Sequence, residues 1–511
     1  MDRLNRSSIN MISSLIGYAV PMVINLVVIP ILLSALGETA YGLQSLVAVI
    51  IGYLTVMDMG LDYPITKYLA EDLAKKDTES ANRMLNNSLQ LYLIIGVIGM
   101  ALIFFAAEML AYKVFKVPGE MVSEAIVVFQ LAGIGFLGSV GMSWGRSVAM
   151  GLQRFEITYG VAVLTNLAGV CLGLMMVYAG YGVSGYVLMR VISTVVAGVA
   201  YWILARWLLP FYHLQLGFDF ATLRRVRGYI GYGLINRVLG SVVSRLDQTF
   251  IAIWLGVAAA GIYSIPFNIM TSLGYMIAYM LGFMFPLASE LHSLGQLEIL
   301  QDIYIRSTRF ITALSSMIFI PVVVFGDLFM TLWVGTSAGE QTRYVIVLIA
   351  LSGYLGTFSV TLPNSIAIGT GRIKQFTIYN TIRGVVLATG CFLLIKPMGL
   401  EGAGAALLVS NIVELFFLVF VSKNYLHISP FELFRAAHLP PIALGLALVI
   451  LTIFLRPFAH SWIGLITTIG IFEVLYILIG YKMGVFGETE KRVIQNYISF
   501  LSRLCLDKKS S

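Results

Sequence analysis

Charge is what this 511-residue chain has least of: Asp, Glu, Lys and Arg together make up 12% of it, about half the ~25% of a soluble domain. No ordinary water-facing surface can be built from so few. Cysteine is scarce too. Cys171 and Cys391 lie inside apolar segments and Cys505 lies near the end, which leaves no disulfide framework and no thiolate metal site. The five histidines are scattered, and there is no P-loop and no nucleophile elbow, so ATP hydrolysis is not expected and no cofactor is called for. The net charge of +7 is spread along the chain without the clustered stripe that tracks phosphates, so nucleic acid is not an expected partner.

What is present is hydrocarbon. Hydrophobic residues fill 59% of positions, and apolar stretches follow one another from Met11 to Lys482 with short polar gaps. A bilayer-spanning helix needs about 20 mostly apolar residues. The pattern predicts an all-α polytopic membrane protein with about fourteen transmembrane helices, centred near Val23, Ala48, Gly96, Phe136, Ala168, Val195, Val243, Gly274, Ser316, Gly353, Leu387, Val413, Leu446 and Ile471. The first stretch, Met11 to Leu36, is too long for a signal-peptide core and lacks a small-residue cleavage site, so it is expected to remain as the first helix.

Lysine and arginine crowd the loops of one side: Lys75, Lys76, Arg83, Arg154, Arg224, Arg225, Arg227, Arg306, Arg309, Arg372, Lys374, Lys423 and Arg435. The other side has Lys113, Lys116, Arg343, Lys396 and Arg456. By the positive-inside rule the first side, and both termini with it, is cytoplasmic. Beyond the last span, Val493, Ile494, Tyr497, Ile498, Leu501 and Leu504 recur at helical spacing among basic residues, the pattern of an interfacial amphipathic helix. Leu223-Arg-Arg-Val-Arg227, inside the 210–229 connection, reads as a shorter surface helix about which two halves could flex.

The halves are visible as a repeat. Ser147-Val-Ala-Met-Gly151-Leu-Gln-Arg154 matches Ser365-Ile-Ala-Ile-Gly369-Thr-Gly-Arg372 at an offset of 218 residues. Leu36-Gly37 with Gly42 matches Leu255-Gly256 with Gly261 at 219, and Gly182 with Gly185 matches Gly399 with Gly402 at 217. A repeat of that length holds six helices, an even number, so the two copies have parallel topology and a pseudo-twofold along the membrane normal. The expected organisation is a six-helix lobe over 1–209, a second over 210–423, two additional transmembrane helices over 424–484 and a cytoplasmic amphipathic tail over 485–511.

Asn10-Met-Ile-Ser-Ser-Leu-Ile-Gly17 through Met59-Gly-Leu-Asp-Tyr-Pro64, Leu246-Asp-Gln-Thr-Phe-Ile-Ala-Ile-Trp-Leu-Gly256 with Gly261-Ile-Tyr263, and Leu332-Trp-Val-Gly335 resemble the polysaccharide flippases of the multidrug/oligosaccharidyl-lipid/polysaccharide (MOP) exporter superfamily. These are the O-antigen and capsule repeat-unit flippases, and the likeness runs over essentially the whole chain. The resemblance implies a V-shaped pair of lobes in a bacterial inner membrane. These would alternate between cytoplasm-open and periplasm-open states and carry an undecaprenyl-pyrophosphate-linked glycan across for lipopolysaccharide or capsule synthesis. It further implies the neighbouring membrane lipids, a polysaccharide polymerase and the chain-length machinery as partners, with H+ or Na+ coupling as an option.

Ionisable residues within spans are the candidate site, because each costs several kcal/mol unless it faces a cavity or a partner. Arg146, Arg190, Arg237, Arg245 and Arg383 fall in predicted spans, whereas span interiors lack lysine. The planar fork of arginine suits a pyrophosphate. On an unbroken helix Arg237 and Arg245 stand about 80° apart with Ser241 and Ser244 between them, one polar stripe. The competing reading for this pair is an ion pair with a neighbouring acid or with Asp247; for Arg146, Arg190 and Arg383 it is snorkelling to the interface. Among the acids, Asp58 and Asp62 stand beside Gly60 and Pro64, and Asp247, Glu414 and Glu473 are placed deeper. These five are candidates for a coupling-ion site or for plain charge pairing.

Two rivals to the flippase reading are weighed. A cation-coupled multidrug exporter of the same superfamily would want an acidic cavity. A membrane glycosyltransferase or polymerase would want a large outer loop and a catalytic carboxylate, whereas every predicted outer loop here is short.

Overall fold

The computed structural model describes residues 2–58, 60–215, 217–219, 238–281 and 284–486. The calls on Arg237, on the 223–227 surface helix and on the tail beyond Phe486 lie outside the described residues. All fourteen predicted centres fall inside helices. Val243 falls in the helical residues 238–243, and the other centres in the longer helices, which in chain order are α1 (Asp2–Leu54), α2 (Asp62–Ala74), α3 (Thr78–Met109), α4 (Val122–Gly151), α5 (Phe155–Met176), α6 (Gly182–Leu208), α7 (Leu246–Trp254), α8 (Val257–Met280), α9 (Met284–Ser293), α10 (Leu297–Val334), α11 (Thr336–Gly369), α12 (Ile373–Met398), α13 (Leu400–Asn424), α14 (Leu439–Leu455) and α15 (Trp462–Lys482).

Among the described residues eleven helical stretches are long and apolar enough to cross a bilayer. Two of them, Ala19–Met57 and Phe155–Leu208, are long enough for two passes each at 1.5 Å per residue. Each is interrupted by glycine in a conformation that L-residues avoid: Gly37 (φ 78°, ψ 170°) in the first, Gly180 (φ 90°) and Gly182 (φ 60°) in the second. A Cβ at Gly37 would fall in a backbone region that is essentially glycine-only.

The outside of the molecule is as apolar as its inside. Phe105 is 83% exposed, Ile463 80% and Trp207 74%, while Phe129, Phe136 and Tyr201 are buried. That surface is made for lipid, and between such helices the attraction comes from close packing rather than from water exclusion. Glycines set the spacing. A Cβ on Gly138 of α4 would stand 3.1 Å from the backbone nitrogen of Val195 on α6, and one on Gly145 would overlap the Tyr201 ring.

The described helices pack as two compact units, Met1–Ile265 with Leu387–Ala403, and Pro266–Val386 with Gly404–Ser511. In the second unit α14 and α15 join α10 through Ala313, Leu444, Leu448, Phe472 and Tyr476. Arg309 of α10 donates to the Ala436 carbonyl at 2.8 Å, and Thr312 shares a hydrogen bond with His438 Nδ1 at 2.9 Å.

The repeat is reproduced at the level of single hydrogen bonds. After α4, Leu152 N donates to Val148 O (3.1 Å), Gln153 N to Met150 O (2.9 Å) and Arg154 N to Ala149 O (2.9 Å). After α11, Thr370 N donates to Ile366 O (2.9 Å), Gly371 N to Ile368 O (3.0 Å) and Arg372 N to Ala367 O (2.7 Å). Every bond is displaced by 218 residues, and Gln153 (φ 55°) and Gly371 (φ 73°) both take the left-handed C-terminal conformation. Two further residues share it at an offset of 219, Lys76 (φ 59°) and Gly295 (φ 67°).

In the first unit, the start of the connection after α6 is tied down. Asn82, Asn86 and Gln90 stand four residues apart on α3. Asn82 Oδ1 accepts from His213 N, Asn86 Oδ1 from Gln215 N, and Gln90 Oε1 from Gly217 N, at 3.0–3.1 Å. The amide groups of Asn86 and Gln90 donate in return to His213 O (2.9 Å) and Gln215 O (3.0 Å). Four helical residues rise about 6 Å and two extended residues about 6.6 Å, so a row of amides at i, i+4 and i+8 can stand in for a neighbouring strand. Asn87 repeats the exchange with Asp219, accepting and donating at 3.1 Å. His213, Gln215, Gly217 and Asp219 of the 210–229 connection are therefore held against α3. Asn86→Ala removes two rungs at once and is expected to lower stability by about 1–3 kcal/mol. It should also open 213–217 to limited proteolysis in membranes; cleavage no faster than in the parent would count against the ladder.

Candidate functional site

The helix that carries Arg245 is not continuous. Residues 238–243 are helical, the backbone turns at Ser244 and Arg245, and α7 resumes at Leu246. The 80° spacing expected for Arg237 and Arg245 is that of an unbroken helix, and Arg237 lies outside the described residues. The break puts Arg245 at the N-terminal end of α7 and leaves its side chain partly buried. A Cβ on Gly52 of α1 would stand 3.5 Å from Arg245 Cγ and Nε, so the guanidinium stem runs over that glycine. Among the described residues the guanidinium has one hydrogen-bond partner, the neutral Gln248 Oε1 at 3.3 Å. A guanidinium has five donors.

Asp247 is fully buried two residues on; it attracts the Arg245 guanidinium electrostatically, but its hydrogen bonds go elsewhere. Its Oδ2 accepts from the Tyr263 hydroxyl of α8 at 2.7 Å and its Oδ1 from the Gln248 backbone N–H at 2.8 Å. Tyr53 of α1 shares a 2.5 Å hydrogen bond with Thr249. Helices α1, α7 and α8 thus meet around a polar group of Tyr53, Arg245, Asp247, Gln248, Thr249 and Tyr263 within the first unit.

Arg383, in the second unit, is committed differently. Its Nε donates to Asn411 Oδ1 at 2.9 Å, and Glu414 Oε1 stands at 3.7 Å, ion-pair rather than hydrogen-bond distance. Asn411 Nδ2 donates in turn to Ser352 O (2.9 Å) and Ser352 Oγ (2.7 Å). The network joins α11, α12 and α13, and Glu414 is 1% exposed, so a charge pair rather than snorkelling describes Arg383.

The remaining candidates are dispersed. Arg190 of α6 donates to the Asn166 carbonyl at 3.4 Å. Arg146 is exposed about one turn before the end of α4, a position from which a long cation reaches the interface. Asp62 opens α2, where the positive end of a helix favours a carboxylate, and Asp58 closes the short turn of helix before it. The nearby Lys67 places its Nζ 5.3 Å from the Tyr68 ring centre. Glu473 sits mid-way along α15, and its Oε2 is buried without a hydrogen-bond partner among the described residues.

The sequence reading missed Gln248, Tyr263, Asn411 and Ser352, neutral residues whose part depends on which helix faces meet. It also missed that Arg343 and Arg456, counted as outer-side positive charge, converge on Asp327: Arg343 Nε lies 3.7 Å from Asp327 Oδ2, and Arg456 Nη2 hydrogen-bonds to the same oxygen.

Residues 32–341 match the polysaccharide biosynthesis protein family. The chain belongs to that family. A candidate O-antigen transporter of Shigella flexneri is 20% identical over 418 residues, which cover 79% of this chain and 95% of that protein. Among solved structures, the lipid II flippase MurJ in an inward closed conformation superposes with a TM-score of 0.68 at 12% identity, over 93% of this chain and 98% of its own. An inward-facing multidrug resistance transporter of the MATE family superposes with a TM-score of 0.64 at 17% identity, over 82% and 99%. The family member described here therefore has the fold of the MOP superfamily, in line with the expectation from its sequence.

Proposed function

We propose that this polysaccharide biosynthesis family member is a flippase that moves an undecaprenyl-pyrophosphate-linked oligosaccharide from the cytoplasmic to the outer leaflet of a bacterial inner membrane. The lobes over 1–209 and 210–423 alternate in exposing the path, both termini stay cytoplasmic, and the acyl tail stays in lipid. A polysaccharide polymerase would consume the delivered repeat unit.

The observation that carries the reading is Arg245: a partly buried guanidinium at a helix break, in a stretch whose sequence is expected to span, with a single neutral hydrogen-bond partner among the described residues. Among the described residues one hydrogen bond engages this five-donor cation, with Asp247 attracting it from two residues away, and a pyrophosphate would accept from the fork through two oxygens at once. The family match and the candidate O-antigen transporter supply the class of cargo. A cation-coupled drug exporter would need free carboxylates for its ligands; of the three deeper acids Asp247 and Glu414 are engaged by Tyr263 and Arg383, which leaves Glu473 alone for that role.

The test is translocation in proteoliposomes of a fluorescent undecaprenyl-pyrophosphate glycan, set beside efflux of a cationic dye. Glycan flipping by the parent chain, reduced in Arg245→Ala at matched protein density, is the expected result. Dye efflux without flipping of any glycan overturns the proposal.

A further inference from the structure

The two copies of the glycine repeat touch each other. The space a Cβ would need at Gly261 of α8 is occupied by Gly42 of α1, with the Gly42 Cα at 2.7 Å and its nitrogen at 2.8 Å. The contact is also reciprocal. A Cβ on Gly42 would overlap the carbonyl oxygen of Val257, and a Cβ on Gly261 would meet the carbonyl oxygen of Glu38 at 3.2 Å. Glu38 and Val257 are repeat equivalents at the same offset of 219 as the glycines. Ser45 Oγ donates to Gly42 O at 2.8 Å, and its equivalent Ser264 Oγ donates to Gly261 O at 2.7 Å. Both helices restart from an equivalent glycine with positive φ, Gly37 at 78° and Gly256 at 93°.

When residue i of one copy meets residue j of the other, and j of the first meets i of the second, a twofold passes between them. Here it passes between Gly42 and Gly261. A substrate path enclosed by two repeats runs along that same axis, so a backbone-to-backbone contact straddling it shuts the path at that level. The level is the end of the helices away from Arg154 and Arg372, whose side the loop charges assign to the cytoplasm. We infer that the crossing of Gly42 and Gly261 is the outer closure of the transport path, and that cargo leaves only when these two glycines part. This rests on the two-lobe flippase reading for its direction, but the contact itself does not. Glycine is required because the approach is backbone on backbone: there is no side chain to swing aside, and an added methyl must push whole helices apart.

The experiment needs no glycan. Ser45, buried one turn further into the membrane, is replaced by cysteine in a chain whose own cysteines are changed to alanine, and a membrane-impermeant maleimide is applied from outside. With both glycines intact the thiol should label slowly. Gly261→Ala, and independently Gly42→Ala, should each raise the outside rate by about tenfold, the change that follows when an equilibrium between closed and open moves by one power of ten. Unchanged rates in both folded variants overturn the inference. If neither alanine chain reaches the membrane, the glycine-intact reporter is compared in right-side-out and inverted vesicles: slower labelling from outside supports the closure, and outside labelling as fast as inside overturns it. Because labelling is read without substrate, failure of the glycan assay and failure of this closure are separate results.

Discussion

Glu414→Leu is expected to remove most of the folded protein from the membrane. The side chain is buried on α13, and the guanidinium of Arg383 that faces it is held in place by Asn411 and, through Asn411, by Ser352. Deleting the acid leaves the cation in a low-dielectric interior with neutral partners alone. Breaking a buried pair from one side costs about 3–5 kcal/mol, against a whole-domain stability of about 5–15 kcal/mol. Removing both charges is different. Arg383→Met with Glu414→Leu replaces the pair by apolar groups of similar reach, and such replacements are often neutral. The double variant should therefore melt within a few degrees of the parent in detergent, followed by size-exclusion fluorescence after heating, while Glu414→Leu alone aggregates. A single variant as heat-stable as the parent would show that the 3.7 Å approach contributes nothing. Rescue by the double variant with flipping retained would place Arg383 among the residues that hold α11, α12 and α13 together and not among those that grip cargo.

How much of this was legible beforehand follows from the range of each interaction. Span positions were readable because bilayer thickness imposes a run of about 20 apolar residues on every crossing, and all fourteen centres fall in helices. The repeat was readable where letters survived, as in Ser147 to Arg154 and Ser365 to Arg372. It was invisible where only backbone geometry is kept: Lys76 and Gly295 share a left-handed turn with no shared residue type. Partner choice was not readable at all. Tyr263 lies 16 residues from Asp247, Glu414 lies 31 from Arg383 and Ser352 lies 59 from Asn411; which of these meet is fixed by helix rotation, and an apolar stripe facing lipid on one side and protein on the other does not set rotation in the way a water-facing surface does. The break before Arg245 was unreadable for a further reason: nothing in Ser244-Arg245 announces it, since neither glycine nor proline stands there.

That break gives the last prediction its form. If Arg245 grips a pyrophosphate, its effect depends on the fork and not on charge alone. Arg245→Ala removes up to two charge-assisted hydrogen bonds of about 1.5–3 kcal/mol each, and flipping at low cargo concentration should fall by roughly a hundredfold. Arg245→Lys keeps the charge on a comparable stem, but a lysine ammonium is a point charge that cannot match two phosphate oxygens at fixed spacing. It should recover part of the rate and lose the preference for pyrophosphate-linked over monophosphate-linked glycan that is expected of the parent. A merely structural arginine behaves otherwise. Its loss would lower the melting temperature, and Gln248→Leu, which deletes its one hydrogen-bond partner among the described residues, would lower it about as much while leaving headgroup preference untouched. Headgroup selectivity in the parent, gone in Arg245→Lys at unchanged melting temperature and kept in Gln248→Leu, is therefore the pattern that assigns anion recognition to this guanidinium. Equal flipping of both headgroups by the parent and the lysine variant would take it away.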